Sequence, residues 1–414
     1  MSGSSQDKGA SRVKIAVVFG LNQVVSHGFG MFLFAAMVPL MRESILLNHW
    51  HLAAIGALTQ LAYLAGALLL GVFGHRLGTE RLALITGSLS SGLLLTMAYL
   101  EHPLLIMAVL TCLAASAAIS WGTLVEIVSR HVHAGLRSTC LSTVSSGTAW
   151  GYGLNGLLIL IIVPMLGWQQ AWLLAGGTGL LVVTLTRRLL QALNKPLTAT
   201  AVSPEPALPT SRLLFTIFNE RTAFLACLTC FLAGLTTMPF SSWVNTYLDQ
   251  LALPASLGGY TWTTVGVTGM VAGLLAGKLA DKQGHGAALL VIFGGFALGL
   301  MAFVYNPGRF ALMAGFGYGL MYFPMWGILA GWVGRDYSAT ATMQISGACM
   351  MTFGLGGTLG NLLTGYLRAA TGSLDAVFIA LAGAAVLLVV LAVWIWAKCP
   401  ASATNTSAPE TPLS

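Results

Sequence analysis

Gly71-Val-Phe-Gly-His75-Arg76-Leu-Gly78 and Gly277-Lys-Leu-Ala-Asp281-Lys282-Gln-Gly284 share one pattern, a glycine, an ionisable residue with a basic neighbour, and a closing glycine. They stand 277 − 71 = 206 positions apart. The same offset carries Gly28 onto Gly234 and Asn155 onto Asn361. Twice 206 is 412 and the chain has 414 residues, so two copies of one unit account for nearly all of it. Each stretch also interrupts apolar sequence of helix length. That background decides the class: 56% of residues are hydrophobic, only 7% are charged, and the mean hydropathy is +0.82. Soluble domains carry about 25% charged residues. Too few charges remain to clothe a soluble surface, which excludes a cytosolic globular enzyme, a disordered chain and a nucleic-acid binder.

A helix needs about 20 apolar residues to cross hydrocarbon. Twelve segments meet that ruler: 15–41, 52–73, 82–100, 103–127, 141–165 and 171–186, then 222–247, 258–279, 287–304, 310–333, 342–367 and 374–397. The sixth and ninth look short. The expected architecture is an all-α membrane protein of twelve transmembrane helices in two pseudo-symmetric six-helix bundles, 15–186 and 222–397. Residues 1–14 form a cytoplasmic N-tail. Residues 187–221, with Pro196, Pro204, Pro206 and Pro209, form a flexible cytoplasmic linker. Residues 398–414, rich in Ser, Thr and Pro, form a disordered cytoplasmic tail. The first apolar run is too long for the h-region of a signal peptide.

Orientation follows from Lys and Arg. With the N-terminus cytoplasmic, that side holds all of them except Arg42, Arg309 and Arg368, a split of 16 to 3 among 19. The net charge of +7 is therefore a topology signal. Both termini are expected in the cytoplasm, with the chain multi-pass in a cell inner membrane. The six cysteines give no disulfide framework, and Cys227-x-x-Cys230 lies within an apolar helix, where small-residue packing is the simpler role.

The glycine-bounded pattern between the second and third helices, repeated between the eighth and ninth, resembles the signature loop of the major facilitator superfamily. Twelve helices, a long central linker and inward termini resemble it too, across nearly the whole chain. Gly167-Trp168 followed by Ala171-Trp172 is similar to that family's Gly-Trp-Arg-x-x-Trp, with Gln169 in place of Arg. The layout resembles its bacterial monocarboxylate-porter-like and sugar-transporter-like branches. The resemblance implies that Gly71, His75, Arg76, Gly78, Gly277, Asp281, Lys282 and Gly284 belong to gating loops. It implies that Asp281 faces the start of the fifth helix, near Ser142 and Thr143, where a carboxylate is favourable. His75 replaces the usual acid; its simplest reading is a solvated loop histidine, and as a cap on a helix of the opposite half it would act only weakly or with pH. The fifth-helix antiporter signature is incomplete, since Gly147-x-x-x-Gly151 is followed by Tyr152 and not proline. The glycines then serve close helix packing.

Polar side chains are costly in hydrocarbon, so those inside the spans face the bundle interior or a watery path. They are Asn22, Gln23, His27, Gln60, Glu126, Asn155, Asn245, Gln344 and Asn361; helices 3, 6, 9 and 12 contribute none. His27 lies near the middle of the first helix with Gln23 one turn earlier, and is suited to carry a proton or meet a carboxylate. Glu126 stands four residues before Arg130, suited to an ion pair at the cytoplasmic end with a structural or gating role, and proton coupling is the alternative. Asn245 with Ser241 forms a polar patch, and Gln60 with Tyr63 an outer gate. Trp121, Trp150, Trp243, Tyr318, Tyr322 and Trp326 lie away from helix ends, where they pack helices or enclose a solute. Trp168, Trp172, Trp394 and Trp396 suit the membrane interface.

Several absences narrow the chemistry. No midplane Arg or Lys offers a permanent anion clamp, and no GxxxxGK[ST], HExxH or Ser-His-Asp spacing occurs within the spans. No enzyme activity, cofactor or metal is expected. The expected function is secondary transport of a small neutral or monoanionic organic solute by alternating access among helices 1, 4, 7 and 10, coupled to protons. The expected path residues are Gln23, His27, Gln60, Trp121, Asn155, Asn245, Tyr322 and Asn361. Efflux of hydrophobic compounds and a non-transporting receptor or assembly role are the alternatives. Expected partners are the solute, membrane lipids and protons, with no nucleic acid, for a monomeric chain.

Overall fold

The computed structural model describes residues 3–132, 134–193, 209–337 and 339–398, without the side chains of 3–12, 71–77, 129, 134–139, 142, 210, 274, 281, 339–340 and 343. The first six long helices are α1 (3–42), α2 (His49–Leu77), α3 (Thr79–Met97), α4 (Pro103–His131), α5 (134–166) and α6 (Trp168–Leu193). A short helix, Thr210–Asn219, precedes α7 (Arg221–Gln250), α8 (Ala255–Gln283), α9 (His285–Tyr305), α10 (Pro307–Asp336), α11 (Ala339–Thr371) and α12 (Asp375–Lys398). Among the described residues, ten of the twelve are long and apolar enough to cross a membrane. The other two, α3 and α11, fill the third and eleventh places of the two sixes.

The repeat is visible in the backbone. Gly78 and Gly284, 206 residues apart, both adopt positive φ, +78° and +91°. Each turns the chain sharply from one helix into the next, in a conformation only glycine takes without strain. Helices run well past the apolar segments. The sixth, expected over 171–186, spans Trp168–Leu193, because an apolar ruler measures the hydrocarbon crossing while backbone hydrogen bonding continues through Arg187 and Arg188. For the same reason α1 begins at Gly3. The linker expected over 187–221 is helical at both ends, and its middle, 194–208, lies outside the described residues, as does the tail after Lys398.

Within each half, α3 packs on α4 and α6, and α9 packs on α10 and α12. These outer helices expose Ile85, Leu89, Leu180, Leu181, Val291, Leu298, Leu387 and Val390, as lipid contact requires. The halves meet most extensively through three pairs, α5 on α8, α2 on α11, and α1 on α7, with smaller contacts of α10 on α5, α8 on α1 and α7 on α2. The first two are the same contact exchanged between halves. Trp168 and Trp172 depart from their interface assignment: both are buried, and Trp168 Nε1 donates to Ser44 Oγ at 3.1 Å. Both lie in the first turns of α6, which begins within the apolar core of its half.

Candidate functional site

The end where α1 begins and α12 finishes is termed the termini side, and the opposite end the far side. The first half contributes a polar wall. α1 widens into a π-helical turn over Val24–Phe29, a local defect frequent at functional sites. His27 sits in that turn. Its Nδ1 is 3.1 Å from Ser26 Oγ, and its Nε2 is 3.2 Å from the Tyr63 hydroxyl of α2. The two rings meet edge to face at 5.7 Å. Asn155 Nδ2 donates to the carbonyl of Gly28 in the same turn at 2.9 Å. That bond is possible because α1 and α5 cross with glycine on glycine: a Cβ on Gly28 would stand 2.5 Å from Gly151 Cα. Two buried polar atoms here have no hydrogen-bond partner, Gln23 Nε2 and Asn155 Oδ1. Asn22 turns away from the centre, accepting from Ser120 and donating to Thr186.

The second half repeats the crossing and changes the lining. A Cβ on Gly234 of α7 would fall 2.1 Å from the Phe353 carbonyl of α11 and 3.0 Å from Gly357 N. Asn361, the counterpart of Asn155, accepts from Trp243 Nε1 at 3.2 Å and donates to the Gly357 carbonyl. The lining is aromatic. Tyr318 stacks on Tyr322 at 5.1 Å and on Phe240 at 5.2 Å, and Trp326 meets Phe353 at 5.1 Å.

Tyr152 joins the halves. Its ring stacks on Trp262 of α8 at 4.9 Å, lies 4.4 Å from the Phe32 ring of α1, and meets Phe323 edge to face. Its hydroxyl is 3.0 Å from that of Tyr318. The void beside this group, lined by Tyr152, Phe240, Ser241, Trp262 and Tyr318 among others, is about 10 Å³, no more than a water needs. Beyond it, toward the far side, the halves touch closely. Asn245 Nδ2 donates to the Ala36 carbonyl across the boundary, while its Oδ1 accepts from Trp262 Nε1 at 3.1 Å. A Cβ on Gly56 would lie 2.5 Å from the Asn361 side chain and one on Gly365 2.5 Å from Ala53 Cβ, while at the depth of Tyr152 itself one on Gly266 would lie 2.3 Å from Gly153 N. Gln60 is buried beside Gly357 in the same layer. The far side is thus closed at these contacts. His27, Tyr63, Tyr322 and Trp326, by contrast, are only partly buried.

Other residues singled out from sequence lie elsewhere. Glu126 and Arg130 form an exposed ion pair one helical turn apart. Trp121 packs on a separate apolar cluster with Phe19, Leu124 and Val144, away from the aromatic group, and Trp150 is exposed. Helix α4 adds no member to the aromatic group, whose places are taken by α5 and α8. The side chains of His75, Arg76 and Asp281 lie outside the described residues, as does the expected approach of Asp281 to Ser142. Lys282 is exposed. Cys227 Sγ is 3.9 Å from Cys349 Sγ of α11, both buried. Sequence reasoning noticed Tyr152 only as the residue interrupting a glycine signature, and passed over Phe32 and Trp262. One signal was present: Tyr152 is a large residue held between Gly151 and Gly153, on a helix otherwise shaped for close approach by Gly147 and Gly156.

Two six-helix halves built on one repeat, with polar and aromatic side chains gathered where they meet, define a multi-pass membrane protein of the transporter class rather than an enzyme. The model of the Major Facilitator Superfamily matches residues 22–348, and the chain belongs to that family. It is 32% identical over 253 residues to "Monocarboxylate transporter 11" of Mus musculus, covering 54% of this chain and 53% of that protein. The Homo sapiens protein of the same name is 32% identical over 252 residues, covering 54% and 50%. The chain thus spans about half the length of the curated relatives it matches. Among solved structures, a mutant form of the nucleoside transporter NupG superposes with a TM-score of 0.73 at 14% identity, covering 93% of this chain and 100% of that one. A D-xylose-proton symporter gives 0.73 at 14%, covering 93% and 97%. At that identity the likeness is one of fold.

Proposed function

We propose that the protein is a secondary active transporter that moves a small, singly anionic or neutral organic solute by alternating access, with His27 as the proton-carrying group. The observation that carries this reading is the asymmetry of the centre: one partly buried wall of His27 and Tyr63 facing one of Tyr322 and Trp326. The two walls suit a solute with one polar group and a flat or apolar body, its polar end toward the imidazole and its body toward the rings. The relatives named as monocarboxylate transporters support a single carboxylate as the polar end. Gln23 Nε2 and Asn155 Oδ1, buried and unpartnered, supply further polar atoms beside the π-turn. The Tyr152–Tyr318 group and the glycine contacts behind it act as the far-side gate, closed in this state. Access then lies on the termini side, which the 16 to 3 distribution of Lys and Arg makes cytoplasmic, in a cell inner membrane. The loops at 71–78 and 277–284 serve the opposite gate, and the working unit is a monomer.

The test is a thermal-shift screen of the purified protein against organic acids, sugars, amino acids and hydrophobic toxicants. A ligand at a hundredfold excess over Kd stabilises the folded state by about 2.7 kcal/mol. The expected hit is a monocarboxylate or other small organic solute, and His27→Ala weakens it at least about tenfold, or 1.4 kcal/mol. Uptake into proteoliposomes by the variant also loses its dependence on pH. A solute whose binding, uptake and pH profile are untouched by His27→Ala sinks the assignment. The aromatic, weakly charged centre also favours export of hydrophobic compounds; hits confined to the toxicants, with raised toxicant sensitivity on deletion, replace import by efflux.

A further inference from the structure

The helix Thr210–Asn219 stands on the termini side, one residue ahead of α7. Its sequence, Thr-Ser-Arg-Leu-Leu-Phe-Thr-Ile-Phe-Asn, carries apolar residues on two opposite faces. One face is used: Thr216 and Ile217 are buried, Leu213 packs against the core, and the helix lies on α7 and α11. The opposite face is open. Leu214, Phe215 and Phe218, which share a side by helical spacing, are 50%, 64% and 70% exposed. Three large apolar side chains on a ten-residue helix are what a watery surface selects against.

The depth of this helix is marked independently. Arg221, the first residue of α7, holds its guanidinium 4.5 Å over the ring of Trp394 near the end of α12. Trp394 and Trp396 are exposed there, just before Lys398. Tryptophan beside basic residues at the end of an apolar span marks a membrane–water boundary. The open face therefore sits at the level of lipid headgroups, and exposed Arg212 lies at its edge.

We propose that Thr210–Asn219 is an interfacial helix, with Leu214, Phe215 and Phe218 inserted in the bilayer surface and Arg212 and Arg221 drawing anionic headgroups. It fixes the second end of the connection between the halves at the bilayer surface, at the start of α7. The occupant of the open face is the bilayer, and the sequence between the halves is anchored rather than loose at its second end.

The test uses the full chain with Cys112 and Cys399 replaced by serine, reconstituted in phosphatidylcholine vesicles with or without phosphatidylglycerol. Nitroxides are placed at Leu214→Cys, Phe215→Cys, Phe218→Cys and, for contrast, Asn219→Cys. The first three relax several-fold more with oxygen than with an aqueous nickel chelate, and the fourth shows the reverse. In anionic vesicles Arg212→Gln with Arg221→Gln raises chelate access at position 218 severalfold, Arg212→Lys leaves it unchanged, and pure phosphatidylcholine shows no such difference. Equal chelate access at all four positions overturns the proposal. So does dipolar broadening at position 218 that vanishes on dilution with unlabelled protein, which assigns the face to a second copy.

Discussion

The two halves share one skeleton and divide the chemistry between them. Glycine crosses glycine at Gly28·Gly151 in the first half, and Gly234 meets α11 beside Gly357 in the second, each beside the paired asparagines Asn155 and Asn361. At that point the resemblance stops. Where the first half carries His27, the second has Ala233; where it carries Tyr63, the second has Gly269, whose missing side chain is replaced by the Phe323 ring. In the other direction, α10 presents Tyr318, Tyr322 and Trp326, while α4 runs Ala114-Ala115-Ser116-Ala117-Ala118 through the equivalent depth. A duplicated frame keeps the backbone contacts that set helix spacing and frees the lining to diverge. The result is a polar wall opposite an aromatic one, which a symmetric dimer of halves cannot offer.

The sharpest way to break that comparison is at the shared crossings. Gly151→Ala sets a Cβ 2.3 Å from Gly28 Cα, where only backbone can give way. We expect a loss of about 1–3 kcal/mol in thermal or denaturant unfolding. Gly357→Ala meets side-chain atoms only, Met238 Cγ at 2.8 Å, Met238 Cβ at 3.1 Å and Gln60 Cγ at 3.2 Å, so its cost is smaller. Equal costs in the two halves would mean that α1 and α5 relax apart as easily as α7 and α11.

Next come the asparagines. Asn361→Ala leaves the buried Trp243 Nε1 without its acceptor, at about 1–3 kcal/mol. Asn155→Ala removes one bond to a carbonyl from a side chain whose Oδ1 already lacks a partner, at about 0.5–1.5 kcal/mol. The unfolding midpoints of the pair therefore differ in that order, and the reverse order would undo the distinction between a spent and a reserved asparagine.

A smaller effect tests the join. Tyr152→Phe and Tyr318→Phe each remove one hydroxyl of a pair 3.0 Å apart. A double-mutant cycle should give about 0.5–1.5 kcal/mol of coupling in the far-side-closed state. If the coupling is absent, the hydroxyls do not hold the halves together. The least effect is expected of Glu126→Gln, which breaks an ion pair whose side chains are 45% and 60% exposed. A pair so wet contributes about 0.5 kcal/mol or less, and salt should erase it.

The sequence by itself determined the class, the helices and the duplication. Charge scarcity and apolar length follow from composition, and a fixed offset survives whatever the chain does in space. Gly78 and Gly284 were legible because positive φ leaves a mark in residue type. The polar members of the site were legible in part, since a histidine or asparagine in hydrocarbon demands an explanation before any fold is known. Tyr152, Phe32 and Trp262 were not, because an aromatic residue in an apolar helix looks alike whether it faces lipid, core or a neighbouring half. Trp150 and Tyr152 are two positions apart on one helix, yet one is exposed and the other is the hub of the aromatic group. The open face of Thr210–Asn219 was hidden for a related reason, since the prolines before it suggest looseness until neighbouring helices bury its other side. Which asparagine keeps an unpartnered oxygen, and which end of the molecule is shut, depend on groups more than a hundred residues apart meeting within 3 Å. No local pattern carries that information; only the packing of one half against the other decides it.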